Sequence, residues 1–330
     1  MAKQWAPNQV AELMRSYQEV CVVLAAAELD LFTILKSRPL TAAEVAKAIG
    51  GDLRGTTYLL DVLAALELLV KTGQHYSPAP GTVDVLTTGG PHAMLAMAQH
   101  QANCLRNWAQ LAKVAKTGRP VRREPSIRGE AADYAAFIEA MDNVSRTIAP
   151  ELVGKLPELT FTHLLDVGGA SGTWTIAFLK RYPKVKATLF DLPKVIPHAT
   201  TRITAANMLD RVRLVGGDFM ADPLPPGADL AWVSAIIHQM SREDCRKLYR
   251  SVFAALSPGG QILIRDHVMD ATRTKPASGA LFAINMLVNT ETGGTFTFEE
   301  IAEDLKAAGF TGADMLRMEE TMHCVVRAKK

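Results

Sequence analysis

The chain has 330 residues, 48% hydrophobic and 21% charged, with a formal net charge of +2. That composition excludes a disordered or fibrous protein, and the length leaves room for two compact domains of ~100–200 residues each. Near-neutral charge argues neither for nor against nucleic-acid binding, and Cys21, Cys104, Cys245 and Cys324 stand far apart with no C-x-x-C pair, so neither a zinc site nor a disulfide framework is expected and a reducing cytoplasm fits.

No leader pattern opens the sequence, and the apolar stretch Val20–Leu35 is interrupted by Glu28 and Asp30, too short and too charged to cross a bilayer. No membrane partner is expected. The first half reads as helices. Over Gln9–Leu35, Val10, Leu13, Met14, Tyr17, Val20 and Leu24 form a helical stripe. In "TAAEVAKAIG", Thr41 and Glu44 make a capping box and Gly50 is a stop. A helix is expected over Leu53–Leu69, then two short strands in "VKTGQHYSP" around a glycine turn.

Helices followed by a hairpin are winged-helix grammar, and a groove-binding helix over Leu53–Leu69 would need a basic surface. It carries Asp61 and Glu67 instead, which favours a scaffold or dimerisation role over DNA binding. The charged, proline-containing stretch "GRPVRREPSIRGE" is expected to be a loop with solvated arginines.

From Thr162 strands and helices alternate. "HLLDVGG", "VKATLFDLP", "RVRLVGGDF", "ADLAWVSAII" and "GGQILIRDHVM" read as strands, "TWTIAFLKRYP", "PKVIPHATTRITAA" and "SREDCRKLYRSVFAAL" as helices, the last with Ser241 as N-cap. This is an α/β, Rossmann-like, doubly wound domain with a mainly parallel sheet, in which ligands bind at the carboxyl ends of the strands.

After the first of these strands come Gly168, Gly169 and Gly172, spaced G-G-x-x-G. Such a turn lets the backbone approach a ligand closely, or merely allows a helix to pack tightly on its strand. Asp191 ends the next strand, where an acid can hold ribose hydroxyls, a spacing that suits either NAD or S-adenosylmethionine. Asp218 closes the third strand, placed to accept from an adenine amino group while Phe219 or Met220 packs on the base, and this third acid favours the methyl donor. Asp166 can meet the donor's ammonium or serve as a turn acceptor.

"LLDVGGASG", "LFDLP", "GGDF" and "IIHQMSREDC" occur in order, and with "ELDLFTIL", "LTAAEVAKAIG" and "LLDVLAALELL" the chain resembles, over nearly its whole length, the class I S-adenosylmethionine-dependent O-methyltransferases of the caffeic acid and hydroxyindole type. The resemblance implies an N-terminal winged-helix dimerisation domain (residues 1–100), a helical linker helping to build the acceptor pocket (101–155) and a donor-binding catalytic domain (156–330) in a homodimer. It further implies donor contacts from Leu192 and Ser234 beside the acids and glycines above. An aromatic or polycyclic small molecule is the implied acceptor, contacted by Phe137 and Met141 on one helix and by Phe282, Asn285, Met286 and Asn289 on another.

By the same likeness His238 is the general base and Asp266 the acid that orients it; imidazole titrates near ~6.5, suited to such work. The alternative for His238 is a core histidine satisfied by backbone. His267 is expected to be structural and Trp174 to pack.

The pattern has gaps. The family's usual aspartate after the histidine is Gln239, its usual donor-supporting lysine is Ser234, and its second orienting glutamate is absent, with Thr295 and Phe296 in that segment and Glu291 just upstream as a substitute or a solvated loop residue. Those gaps keep two alternatives open: carbon or nitrogen methylation driven by proximity in the same fold, and a non-catalytic regulator that binds the donor. NAD-dependent dehydrogenation fits the glycines and the first acid but not the later segments.

Overall fold

The computed structural model describes residues 4–90 and 92–330. The chain divides into two compact units, Met1–Arg106 with Arg123–Asn143, and Asn107–Arg122 with Val144–Lys330.

The first unit opens with helices α1 (Pro7–Arg15), α2 (Tyr17–Glu28) and α3 (Leu31–Leu35). The continuous stripe expected over Gln9–Leu35 is thus divided, at Ser16 and again at Asp30, whose φ of 51° is left-handed. Only the later part of the stripe is internal: Leu24 is buried, whereas Val10, Leu13, Met14, Tyr17 and Val20 are exposed.

Strand β1 (Leu40–Thr41) leads into α4 (Ala42–Ile49). Its capping box forms, with the Thr41 amide donating to Glu44 Oε2 at 2.8 Å and the Glu44 amide to Thr41 Oγ1 at 3.3 Å, and Gly50 ends it at φ 62°. Helix α5 (Leu53–Ala65), N-capped by Asp52, stops short of Leu69 because Glu67 turns left-handed at φ 60° and Leu69 enters a strand. The hairpin β2 (Leu69–Thr72) and β3 (His75–Pro78) turns at Gly73, and β1 completes a three-stranded antiparallel sheet ordered β1-β3-β2. Asp61 is engaged inside the unit, accepting from Lys71 Nζ at 2.6 Å and Tyr76 Oη at 2.7 Å. Helices α6 (Thr82–Leu86), α7 (Leu95–Trp108), α8 (Leu111–Thr117) and α9 (Glu130–Lys155) follow, and the charged stretch before α9 is a loop.

The second unit is built on β4 (His163–Val167), α10 (Thr173–Arg181), β5 (Lys186–Asp191), α11 (Ile196–Ala205), β6 (Val212–Gly216), β7 (Ala228–Ser234), α12 (Arg242–Ala255) and β8 (Leu256–Asp266). After it come β9 (Val268–Met269), α13 (Ala277–Asn289), β10 (Phe296–Thr297), α14 (Phe298–Ala307), β11 (Thr311–Arg317) and β12 (Cys324–Lys329). The seven-stranded sheet is ordered β11-β12-β8-β7-β4-β5-β6, parallel from β8 to β6 and antiparallel at the terminal hairpin. The expected doubly wound sheet is present, and the terminal hairpin adds an edge that no motif marked.

Alternation along the strands feeds two cores. Leu230, Trp232 and Leu263 face α10, α11 and the end of α9, while Ala231, Val233 and Ile264 face α12 and α14. Trp232 is wholly buried, its ring 5.1 Å from Phe178 and 5.2 Å from Trp174. Side chains of that size each bury ~150–250 Å², worth several kcal/mol at ~25 cal/mol/Å², which makes this layer a rigid floor for the strand ends above it.

Candidate active site

At the end of β4 the chain reverses into α10 through Gly168 at φ 68° and Gly172 at φ 80°. A Cβ on Gly168 would lie 2.5 Å from Ile236 Cδ1, and one on Gly169 2.6 Å from Leu189 Cγ. Glycine is therefore required here by backbone conformation and by the chain's own packing, and the turn lies in contact with the segment after β7.

Asp191, half-buried at the end of β5, pins the turn: its Oδ2 accepts from the Ala170 amide at 2.7 Å and its Oδ1 from the Leu192 amide at 2.7 Å. Burial raises its pKa, and those two amides oppose the rise. Each carboxylate oxygen retains a lone pair, the acceptor capacity that a pair of ribose hydroxyls requires. Leu192 is exposed beside it.

Beyond β6, Asp218 is exposed, its Oδ1 accepting from the Met220 amide at 2.9 Å; Phe219 is half-buried and Met220 exposed. Asp166 is different. It is buried, accepts from Thr175 Oγ1 at 2.6 Å, and burial pushes its pKa up to about 7, against the lowering effect of Thr175. Its carboxyl is held against α10 by that hydroxyl and borders the glycine turn. Hydroxyl-accepting and amine-accepting acids around a glycine turn form a donor set whose chemistry fits the sugar and base of an adenosyl group.

Beyond the end of β7, His238 lies in a short 3-10 turn. Its Nδ1 is 2.9 Å from both oxygens of Asp266, the last residue of β8, and both side chains are buried. Asp266 also accepts from the His267 amide at 2.8 Å. A carboxylate clamped on Nδ1 holds the proton on that nitrogen and leaves Nε2 as the acceptor. Gly293 and Gly294 close over this turn, the Gly294 amide donating to the His238 carbonyl at 2.9 Å; a Cβ on Gly293 would stand 2.5 Å from that carbonyl oxygen. Thr295 is buried, Phe296 packs on the core, and Glu291 is exposed, a loop residue.

Phe282 on α13 lies between two imidazoles, edge-on to His238 at 4.8 Å and tilted against His267 at 4.9 Å. His267 is buried, and burial drives its pKa down to about 4, so it is a neutral wall. Met286 is buried on the same helix. Asn285 and Asn289 are tied into an amide chain within this unit: Asn107 Nδ2 donates to Asn289 Oδ1 at 2.7 Å, Asn289 Nδ2 to Asn285 Oδ1 at 3.1 Å, and Trp108 Nε1 to Asn285 Oδ1 at 3.0 Å. In the first unit Phe137 is exposed with its ring 5.2 Å from His100, and Met141 is half-buried.

Sequence reasoning missed Arg265. It is buried beside Ser234, with Nη1 donating to Ser234 Oγ at 2.9 Å and its guanidinium 4.7 Å above the Trp174 ring. The signal was a cation ending an apolar run in "QILIRD".

The seven-stranded, mostly parallel sheet with a glycine turn after its first strand has the architecture of a class I methyltransferase. An O-methyltransferase domain family matches residues 125–311, and an O-methyltransferase dimerisation domain matches residues 11–86. The chain belongs to this S-adenosylmethionine-dependent O-methyltransferase family. It is 32% identical to the tetracenomycin polyketide synthesis 8-O-methyl transferase TcmO of Streptomyces glaucescens, over 92% of this chain and 91% of that protein. It is 29% identical to the 3-hydroxy-5-methyl-1-naphthoate 3-O-methyltransferase of Streptomyces sahachiroi, over 92% and 89% of the two chains. Human N-acetylserotonin methyltransferase in complex with SAM superposes with a TM-score of 0.80 at 26% identity, covering 100% of this chain and 99% of that one. Among the described residues no helix is long and apolar enough to cross a membrane, and no His, Cys, Asp and Glu cluster could hold a metal.

Proposed function

We propose that the acceptor is a phenolic hydroxyl of a polycyclic aromatic small molecule and that His238 takes its proton as the methyl group moves. The observation that carries the base assignment is the pair of 2.9 Å contacts between His238 Nδ1 and the buried Asp266 carboxylate. Two relatives named for a tetracenomycin polyketide and a hydroxynaphthoate favour fused aromatic acceptors. S-adenosylmethionine supplies an activated methyl group on a sulfonium. Asp191 would receive its ribose hydroxyls and Asp218 its adenine amino group, with Phe219 and Met220 against the base; Gly168, Gly169 and Gly172 keep the turn narrow, and Asp166 would support the donor site beside them.

His238 Nε2 receives the hydroxyl proton, and Asp266 stabilises the imidazolium that results. Most of the acceleration comes from positioning the oxygen in line with the methyl group, with the base contributing on the order of 10²–10⁴-fold. Phe282 and Met286 offer flat and adaptable apolar contact to a fused ring. Asn285 and Asn289 are further proposed acceptor contacts, and we assign dimerisation, linking and catalysis to residues 1–100, 101–155 and 156–330. The dimerisation-domain match and the exposed stripe on α1 and α2 favour a homodimer.

The test is a panel of one-ring and fused-ring phenols, amines and carbon acids with labelled donor. Label in fused-ring methyl ethers is expected; transfer only to amines or carbon acids would refute the acceptor class. His238→Ala should lower kcat ~10²–10⁴-fold with the affinity for S-adenosylhomocysteine unchanged. An unaltered kcat at saturating acceptor would instead assign the reaction to proximity alone.

A further inference from the structure

Strand β8 is apolar through Ile262, Leu263 and Ile264 and then carries a guanidinium into the interior: Arg265 is 3% exposed. Its Nη1 donates to Ser234 Oγ at 2.9 Å, its Nη2 meets His323 Nδ1 at 3.1 Å, and its planar group lies over Trp174. Its Nε is buried with no hydrogen-bond partner. Among the described residues no carboxylate lies within ion-pair distance of it. The adjacent Asp266 points to the other face of the sheet and is held by His238. Burial lowers the Arg265 pKa to about 10, so the group remains a cation at neutral pH. A hydroxyl, an imidazole and an aromatic face offset only part of the cost of burying that charge; an anion would offset the rest.

The register says which anion can reach it. Ser234 and Arg265 are paired across β7 and β8, and one residue beyond the Val167–Val233 and Val167–Phe190 pairs stand Gly168, Ser234 and Asp191. Asp191, Gly168, Ser234 and Arg265 therefore form one row across the carboxyl ends of four adjacent strands, and paired residues in a parallel sheet face the same side. The guanidinium reaches back over β7 to Ser234, about two strand spacings or ~10 Å from the Asp191 strand. That is the scale of the chain from the ribose of S-adenosylmethionine to its carboxylate.

We propose that Arg265, steadied by Ser234 and Trp174, is the cation that binds the α-carboxylate of S-adenosylmethionine. The proposal rests on the reading of the glycine turn and Asp191 as the donor site, and the experiment separates the two. Calorimetry on the full-length protein compares S-adenosylhomocysteine with 5′-methylthioadenosine, which has the same base, sugar and thioether but no amino-acid carboxylate.

Arg265→Met should weaken S-adenosylhomocysteine ~10–100-fold, as expected for a lost charge-assisted contact, and leave methylthioadenosine within about 2-fold. Restoring a cation on β7, in the Arg265→Met/Ser234→Lys double variant, should recover S-adenosylhomocysteine to within ~10-fold of the parent. Equal weakening of both ligands, or of neither, in Arg265→Met overturns the proposal. If Arg265→Met does not fold, Arg265→Lys decides: it should keep the parent's preference for S-adenosylhomocysteine over methylthioadenosine, and loss of that preference overturns the assignment. Failure of the parent protein to bind either ligand overturns the donor site itself, and the proposal with it.

Discussion

Asp166 and His238 are both buried polar groups near strand ends, and their surroundings assign them different work. His238 has a carboxylate on one ring nitrogen, which fixes the proton there. Asp166 has a hydroxyl partner and a desolvated site, so its neutral form is favoured and its pKa rises to about 7 from 3.8. In the folded chain Asp166 holds a proton at pH values where the unfolded chain has lost it. Its contribution to stability is complete below the unfolded value and is lost as pH rises through about 7. Asp166→Asn removes that titration while keeping an acceptor for Thr175. Urea unfolding of both proteins should show the variant gaining on the parent by up to ~1.4 kcal/mol per pH unit between pH 4 and 7, then no further. A constant difference across that range would mean that the carboxyl is ionised throughout.

Among the elements, those with strong local chemistry were legible and those set by competition were not. The Thr41–Glu44 box, the Gly50 stop and the Ser241 cap are each formed, because capping is a contact within four residues. The end of α5 is set by such competition: leucine periodicity continues to Leu69, yet Glu67 adopts a left-handed backbone and the sheet takes Leu69. Ion pairing between α12 and α14 was equally invisible. Arg242 and Arg246 both reach Asp304, at 2.8 Å and 3.0 Å, and Asp304 is buried. Asp304→Ala takes the shared buried carboxylate from two guanidinia, of which Arg242 keeps Glu303, and should cost about 1–3 kcal/mol, measured as a shift in the urea midpoint with an unchanged slope. No shift would mean that Glu300 and Glu303 alone satisfy both arginines.

For the whole molecule, the exposed stripe on α1 and α2 carries the largest consequence. Leu13, Met14 and Tyr17 are 59%, 65% and 56% exposed on consecutive turns, an apolar face too continuous to be left in water. The matched dimerisation family begins within this stretch. Leu13→Asp combined with Met14→Lys should convert a dimer to a monomer in sedimentation velocity, since charges at the centre of an apolar interface are left without partners. A dimer that survives both changes would move the interface elsewhere. The same stripe read as one helix from sequence, since periodicity reports which residues align but not whether their partner is the same chain.

The sequence by itself determined the doubly wound sheet, the glycine turn and the order of Asp191, Asp218 and His238 along the strands, because alternation, glycine and chain order are local properties. Tertiary structure alone decided what each group faces. It brought Asp266 onto His238 across two strands, left Glu291 exposed in its loop, and gave Asn285 and Asn289 partners from Asn107 and Trp108. It also set Arg265 against Ser234, a contact between residues 31 positions apart that only strand register creates. Burial and register depend on residues distant in the chain, and the chemistry of a buried charge follows from both.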